Sequence, residues 1–273
     1  MRIESDRNLN VFCPPVGLNQ YILYYNVVFP KHGMFTPAYT LMPDACGTLS
    51  LAFDGASVAA ELWGASITPT LLGAEPNGYR VLLLIQLSPY GLYQITRQSQ
   101  AGFADKRLLL KDIDSALFSA LHHAFETAQT VMDLINACNK ILYKRIERHI
   151  VSDALLQAAE SISACHGQIQ VKEAARQAGY SERHLNRLFL TQIGMNVKCY
   201  TRLARFRYIL KQLEKSPCFF SALSQQAGYF DQAHFDKDFK SISGLTPQCF
   251  LEKMSDFYYD EAEIWATISS KEE

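Results

Sequence analysis

The chain has 273 residues, 48% of them hydrophobic and 12% aromatic, which supports buried cores and excludes wholesale disorder. Its net charge of −1 does not by itself point to a polyanion partner, and its seven scattered cysteines contain no Cys-x-x-Cys pair, which argues for reduced thiols in the cytoplasm over a zinc site or a disulfide framework. The polar, acidic start from Met1 to Asp6 lacks a signal peptide's apolar stretch, and the most apolar run, Val81 to Ile85, is far too short for a bilayer, so no membrane partner is expected.

Residues 1–110 carry short apolar and aromatic segments broken by Gly and Pro. Strands are predicted at Tyr21 to Phe29, Thr48 to Phe53, Val58 to Trp63 and Val81 to Leu87, with Asp54-Gly55 as a hairpin turn. This spacing predicts an antiparallel sandwich or small barrel. Tyr21, Tyr24, Tyr25, Phe53, Trp63, Tyr79, Tyr90 and Tyr93 either line an apolar pocket or form simple core.

Residues 111–150 change to a helical period. Ile113, Leu117, Leu121, Ala124, Phe125 and Ala128 form one stripe, and Leu134, Ile135, Cys138, Ile141 and Leu142 form a second. Two adjacent amphipathic helices suit packing on the sheet or homodimerisation. An interdomain joint is expected near 149–153. Beyond it, in residues 151–255, helices are predicted at Ser152 to Cys165, Val171 to Ala178, Glu182 to Thr191, Val197 to Leu213, Phe220 to Ala227 and Asp231 to Ile242. Ser216-Pro217 ends the long helix, and Thr246-Pro247 opens a last one. Residues 256–273 are an acidic tail containing Tyr258, Tyr259 and Trp265, with no assigned role. The fold class is therefore α+β: a β-rich N-terminal domain with a helical extension, then an all-α domain.

That all-α region contains a duplication. Gln177-Ala178-Gly179-Tyr180 recurs as Gln226-Ala227-Gly228-Tyr229; Gly179 and Gly228 are 49 apart, and His184 and His234 are 50 apart. The second copy thus has one extra residue in or just after its turn. Each copy reads as a helix, a glycine at positive φ and a capped second helix, with Ser181 and Asp231 as the caps. Tandem helix-turn-helix units joined by a rigid helix suit two successive major grooves, about 34 Å apart, which implies double-stranded DNA as partner.

The charge distribution agrees. Residues 171–215 hold 10 basic and 3 acidic side chains, whereas 216–255 hold 3 and 4. On the first second-helix, Leu185, Leu188 and Phe189 face inward while Glu182, Arg183, Asn186 and Arg187 face outward. Arg can bond guanine O6 and N7 bidentately, and Asn can bond adenine N6 and N7, so Arg183, Asn186 and Arg187 are the expected base readers. The corresponding outer face of the second unit offers Gln232, Ala233, Asp236, Lys237 and Asp238, with two carboxylates that weaken its approach to DNA. Arg202, Arg205 and Arg207 on the connecting helix either reach phosphates or solvate that helix.

The motifs Ala174-Ala175, Ala178-Gly179-Tyr180-Ser181, His184-Leu185-x-Arg187-x-Phe189, Gly194, Gly228-Tyr229, Phe235-x-Lys237-x-Phe239-Lys240 and Gly244-Leu245-Thr246-Pro247 with Phe250 carry a family resemblance. From about Asp153 to Met254 the chain closely resembles the DNA-binding domain of the AraC/XylS transcription regulators. The resemblance implies a seven-helix domain contacting DNA through Ser181, Glu182, Arg183, Asn186, Arg187, Arg202, Arg205, Gln232, Ala233, Asp236, Lys237 and Lys240. It also implies a cupin-like N-terminal domain that senses a small-molecule effector or dimerises, and RNA polymerase as a further partner of an activator. Phe206 stands where many members have Ala, and Lys237 where Arg is usual. The fainter N-terminal resemblance rests on Pro43-Asp44-Ala45-Cys46 and Pro89-Tyr90-Gly91-Leu92-Tyr93.

An enzyme is not expected, and neither a cofactor nor a metal. A metal cupin needs several converging histidines, but residues 1–110 contain only His32, and His122-His123 diverge on a helix. No nucleophilic Cys with an activating His is legible either; Cys46 reads as structural. The remaining alternative is a sensor or interaction module with degenerate DNA binding.

Overall fold

The computed structural model describes residues 8–31, 33–147, 150–215 and 220–257. His32, the Ser216-Pro217 helix stop and residues 258–273 of the acidic tail lie outside the described residues.

Six strands pair antiparallel into one sheet: β1 (Leu9–Phe12), β2 (Ile22–Val28), β4 (Thr48–Phe53), β5 (Val58–Trp63), β7 (Val81–Leu87) and β8 (Arg107–Leu109). Their spatial order is β1-β2-β7-β4-β5-β8, while β3 (Thr40–Leu41) and β6 (Thr70–Leu71) form a separate two-stranded ribbon. The β4–β5 hairpin turns at Asp54, whose Oδ1 accepts from the backbone N–H groups of Ala56 and Ser57. The expected sandwich or barrel is corrected: this sheet stays open, because helices rather than a second sheet supply its covering layer.

Alternation along the strands separates two faces. One carries Tyr25, Val27, Leu49, Leu51, Ala60, Leu62, Leu83 and Ile85. Against it pack α1 (Gly91–Thr96), α2 (Leu110–Ile113), α3 (Ser115–Thr127) and α4 (Val131–Ile146). Asp114 caps α3, and Thr130 with Asp133 closes a capping box on α4. The two apolar stripes of residues 111–150, through Leu117, Leu121, Phe125, Leu134, Ile135, Cys138 and Leu142, are buried on the chain's own sheet. The homodimer expectation rested on those stripes, and this packing already covers them.

The C-terminal half comprises α5 (Asp153–Ala164), α6 (Val171–Gln177), α7 (Glu182–Gln192), α8 (Val197–Lys215), α9 (Phe220–Gln226), α10 (Gln232–Ser243) and α11 (Pro247–Phe257). Phe189, Phe206, Phe235, Phe239 and Phe250 centre its core. The same buried cluster continues into the N-terminal half through Tyr21, Ala45, Ala65 and Tyr90. A backbone contact reinforces that seam: Gln100 N–H donates to the Thr191 carbonyl at 2.7 Å. At the same seam Arg207 of α8 pairs with Asp44. Its guanidinium also lies 3.7 Å from Cys46 Sγ. Burial, then the nearby Asp44 carboxylate, pushes the Cys46 thiol up to about 12, consistent with a structural thiol. Among the described residues, no helix is long and apolar enough to cross a membrane.

Candidate nucleic-acid interface and the adjoining cavity

Both duplicated units fold into the same turn. Gly179 and Gly228 have φ of +73° and +74°, and each following tyrosine N–H returns to a carbonyl five residues back, Ala175 or Ser224, at 2.9 Å. Ser181 Oγ then accepts from His184 N–H at 3.3 Å, and Asp231 Oδ1 from His234 N–H at 2.7 Å. The extra residue of the second copy is Phe230, which is 92% exposed.

On α7 the guanidinium-bearing residues Arg183 and Arg187 are exposed, as is Glu182. Arg187 Nη2 lies 3.5 Å from His184 Nδ1, and the His184 ring stacks on Tyr180 with centroids 4.4 Å apart. Sequence reasoning assigned Tyr180 and His184 no role. The structure places them beside the arginines, where they restrict Arg187 and present flat apolar surface. The signal was available in principle, since Tyr180 stands four residues before His184 across the capped turn.

Asn186 has a different environment from the one its helical face suggested. Its Nδ2 donates to the Glu182 carbonyl at 2.9 Å, and its Oδ1 accepts from Val197 N–H at 3.1 Å. The latter group is one of the four N–H donors that open the first turn of α8 and lack a helical partner. Asn196 Oδ1 accepts from Cys199 N–H at 2.8 Å, so two asparagines cap this end of the connecting helix. Asn186→Ala is therefore expected to cost about 1–2 kcal/mol of stability, measurable as a lower midpoint in denaturant; an unchanged midpoint would leave its amide free for a base.

On α10, Gln232, Ala233, Lys237 and Lys240 are exposed and Asp236 is half-buried. Asp238 is turned away from the outer face. Its carboxylate accepts from Arg202 Nε at 2.9 Å and from Tyr229 Oη at 2.9 Å. The expectation of two carboxylates facing DNA is corrected to one, because Asp238 is held by α8 and the turn. The same contact places Arg202. Arg205 donates to the Gly167 carbonyl at 2.8 Å and lies 5.0 Å from the Tyr229 ring centroid. Thus Arg202, Arg205 and Arg207 all have partners inside the protein, and α8 is a packed rod rather than a free basic face.

The sheet face opposite α1–α4 lines a cavity of about 700 Å³. Its floor consists of Tyr24, Asn26 and Val28 on β2, Leu82, Leu84 and Gln86 on β7, Thr48, Ser50 and Ala52 on β4, and Ala59, Glu61 and Trp63 on β5. Phe206, Arg207, Leu210 and Lys211 of α8 form a wall. Of the aromatic candidates, Tyr24, Trp63 and Tyr79 line this space; Tyr25 lies in the sheet–helix core and donates to Asn139 Oδ1 at 2.7 Å. Tyr21 and Tyr90 meet edge to face in the seam. Arg107 bonds both Glu61 and Glu75 and lies 4.7 Å over Trp63, and its hydrogen bonds hold the Glu75 carboxyl below the usual range.

Comparison with known proteins adds to this geometry. Residues 174–253 match the model of a family described as a helix-turn-helix domain. The HTH-type transcriptional regulator GlxA of Rhizobium meliloti (strain 1021) is 33% identical over 95 residues, covering 34% of this chain and 29% of that protein. The HTH-type transcriptional activator RhaR of Salmonella typhimurium is 30% identical over 100 residues, covering 37% and 35%. The chain thus spans about a third of the length of these curated relatives. A crystal structure of ToxT from Vibrio cholerae O395 aligns over 89% of this chain and 95% of that one, at 15% identity and a TM-score of 0.39. The duplicated, capped turns and the sequence match agree: residues 174–253 form a helix-turn-helix domain similar to those of the HTH-type regulators GlxA and RhaR.

Proposed function

We propose that this protein is a sequence-specific DNA-binding transcription regulator whose cavity receives a small-molecule effector. The observation that carries the reading is the pair of exposed guanidiniums, Arg183 and Arg187, on a helix capped and presented like its duplicate α10. An exposed cationic helix at the end of a tight turn suits the major groove, with Glu182, Gln232, Ala233, Asp236, Lys237 and Lys240 completing the two contact faces and Ser181 holding the first helix start. The partners of Arg202 and Arg205 make them positioning groups first and phosphate contacts second. In this reading residues 1–110 are the sensor, 111–150 its supporting helices and 151–255 the DNA-binding part. The sense of regulation is activation, with RNA polymerase as the further partner.

Electrophoretic mobility shift with full-length protein and a random-sequence duplex, titrated across salt, tests this proposal. Each phosphate contact contributes about −0.9 to the slope of log affinity against log salt. A steep negative slope is expected; a flat one would reject DNA binding and favour an interaction module.

A further inference from the structure

Asn26 lies at the β2 edge of the cavity floor and is only 5% exposed, yet its Oδ1 meets no protein donor. A buried, unpaired amide oxygen destabilises a fold, and the neighbouring floor positions Val28 and Leu82 show that this sheet face accommodates aliphatic side chains. The strand register places Asn26, Leu84, Ser50 and Glu61 in one row across β2, β7, β4 and β5. Neighbouring strands lie about 4.8 Å apart, so the row's polar groups span about 14 Å and are interrupted by one leucine. Ser50 is also buried. At the end of the row, Glu61 Oε2 accepts from Arg107 and from Trp63 Nε1.

The charges around the cavity constrain what binds there. Four acidic residues (Asp44, Glu61, Glu75, Asp105) and four basic ones (Lys106, Arg107, Arg207, Lys211) line it, which balance. Arg107 is committed to Glu61 and Glu75, and Arg207 to Asp44. A carboxylate drawn to Arg107 or Arg207 would have to break one of these pairs, and an ammonium group drawn to Glu61 would have to compete with Arg107 for it. A neutral hydroxyl or amide N–H meets neither obstacle and supplies the donor that Asn26 Oδ1 lacks.

We infer that the cavity takes an uncharged, largely apolar ligand bearing a hydroxyl or amide that donates to Asn26. Val28, Ala52, Leu82 and Phe35 receive its apolar body, and Asn26 accepts from its polar end. This inference rests on the reading of the cavity as an effector site, and it specifies the ligand's chemistry.

The test uses full-length protein and four probes of matched shape: 4-butylphenol, 4-butylbenzamide, 4-butylbenzoate and 4-butylbenzylamine. Binding is read by calorimetry and thermal shift. The phenol and the benzamide are expected to bind about tenfold tighter than the two charged probes. Asn26→Leu should lose that preference while melting about 2–4 °C higher, since a strained polar burial is removed. Asn26→Ala is the second variant should leucine not fit; it should lose the preference without the gain in melting temperature. Tightest binding by a charged probe, or unchanged phenol affinity in a folded Asn26 variant, would overturn the ligand class and leave the cavity reading standing. Binding by none of the four would overturn both.

Discussion

Replacing Arg183 and Arg187 together by alanine is expected to lower DNA affinity at least about thirtyfold without unfolding the protein. A bidentate Arg–guanine pair contributes about 1–3 kcal/mol each, and two such losses at the low end already give that factor. Both side chains are exposed on α7, and the helix keeps its Ser181 cap and its Leu185 and Phe189 anchors. The melting temperature should therefore stay near that of the parent. Salt dependence then distinguishes two modes of contact. If the arginines read bases, affinity falls for the preferred sequence and the salt slope is nearly preserved. If they hold phosphates, affinity falls for every duplex and the slope becomes shallower by about 1.8. Full retention of binding would exclude α7 as the recognition helix.

Phe206→Ala is expected to lower stability by about 3–5 kcal/mol. The Phe206 ring is buried, tilts against Phe239 at 5.1 Å and also forms part of the cavity wall. Truncation removes apolar contact on both sides of α8, and Arg202 and Arg207 hold α8 by charge pairs that resist its collapse into the gap. Phe239 also packs on Phe235 and Phe250, so the loss should spread into α10 and α11. Hydrogen exchange should speed up in α10 more than in α7, whose core contact is Phe189 on Tyr200. Equal acceleration in both helices would mean that Phe206 supports the domain globally rather than through the second unit.

The strands β4, β5 and β7 and most C-terminal helices were legible to within a residue or two, because their apolar runs are bounded by Gly, Pro, Asp or Ser. The short elements were not. β8 has three residues, and α1 begins at Gly91 with no polar cap and ends at Arg97 in the left-handed region. Gly91 is required by packing: a Cβ there would lie 2.3 Å from the Tyr21 carbonyl oxygen, a contact that periodicity does not report. The cavity was legible only as a set of aromatic candidates. Its floor needs the register of four strands, and its wall comes from a helix more than a hundred residues later in the chain. The partners of the α8 arginines were not legible locally for the same reason, since the partner of Arg207 is Asp44. Asn186 and Asp238 occupied the outward-facing helical positions that were expected, yet tertiary hydrogen bonds draw both amide and carboxylate inward.

The buried cluster shared by Tyr21, Ala45, Ala65 and Tyr90 with α5 and α8 has a consequence for how this protein can be taken apart. A cut at the joint near residue 150 would bare an aromatic surface on each fragment. Grafting the C-terminal half onto an unrelated sensor would carry the same exposed surface unless the recipient supplied matching rings. Each half is therefore expected to be less soluble alone than the two are together.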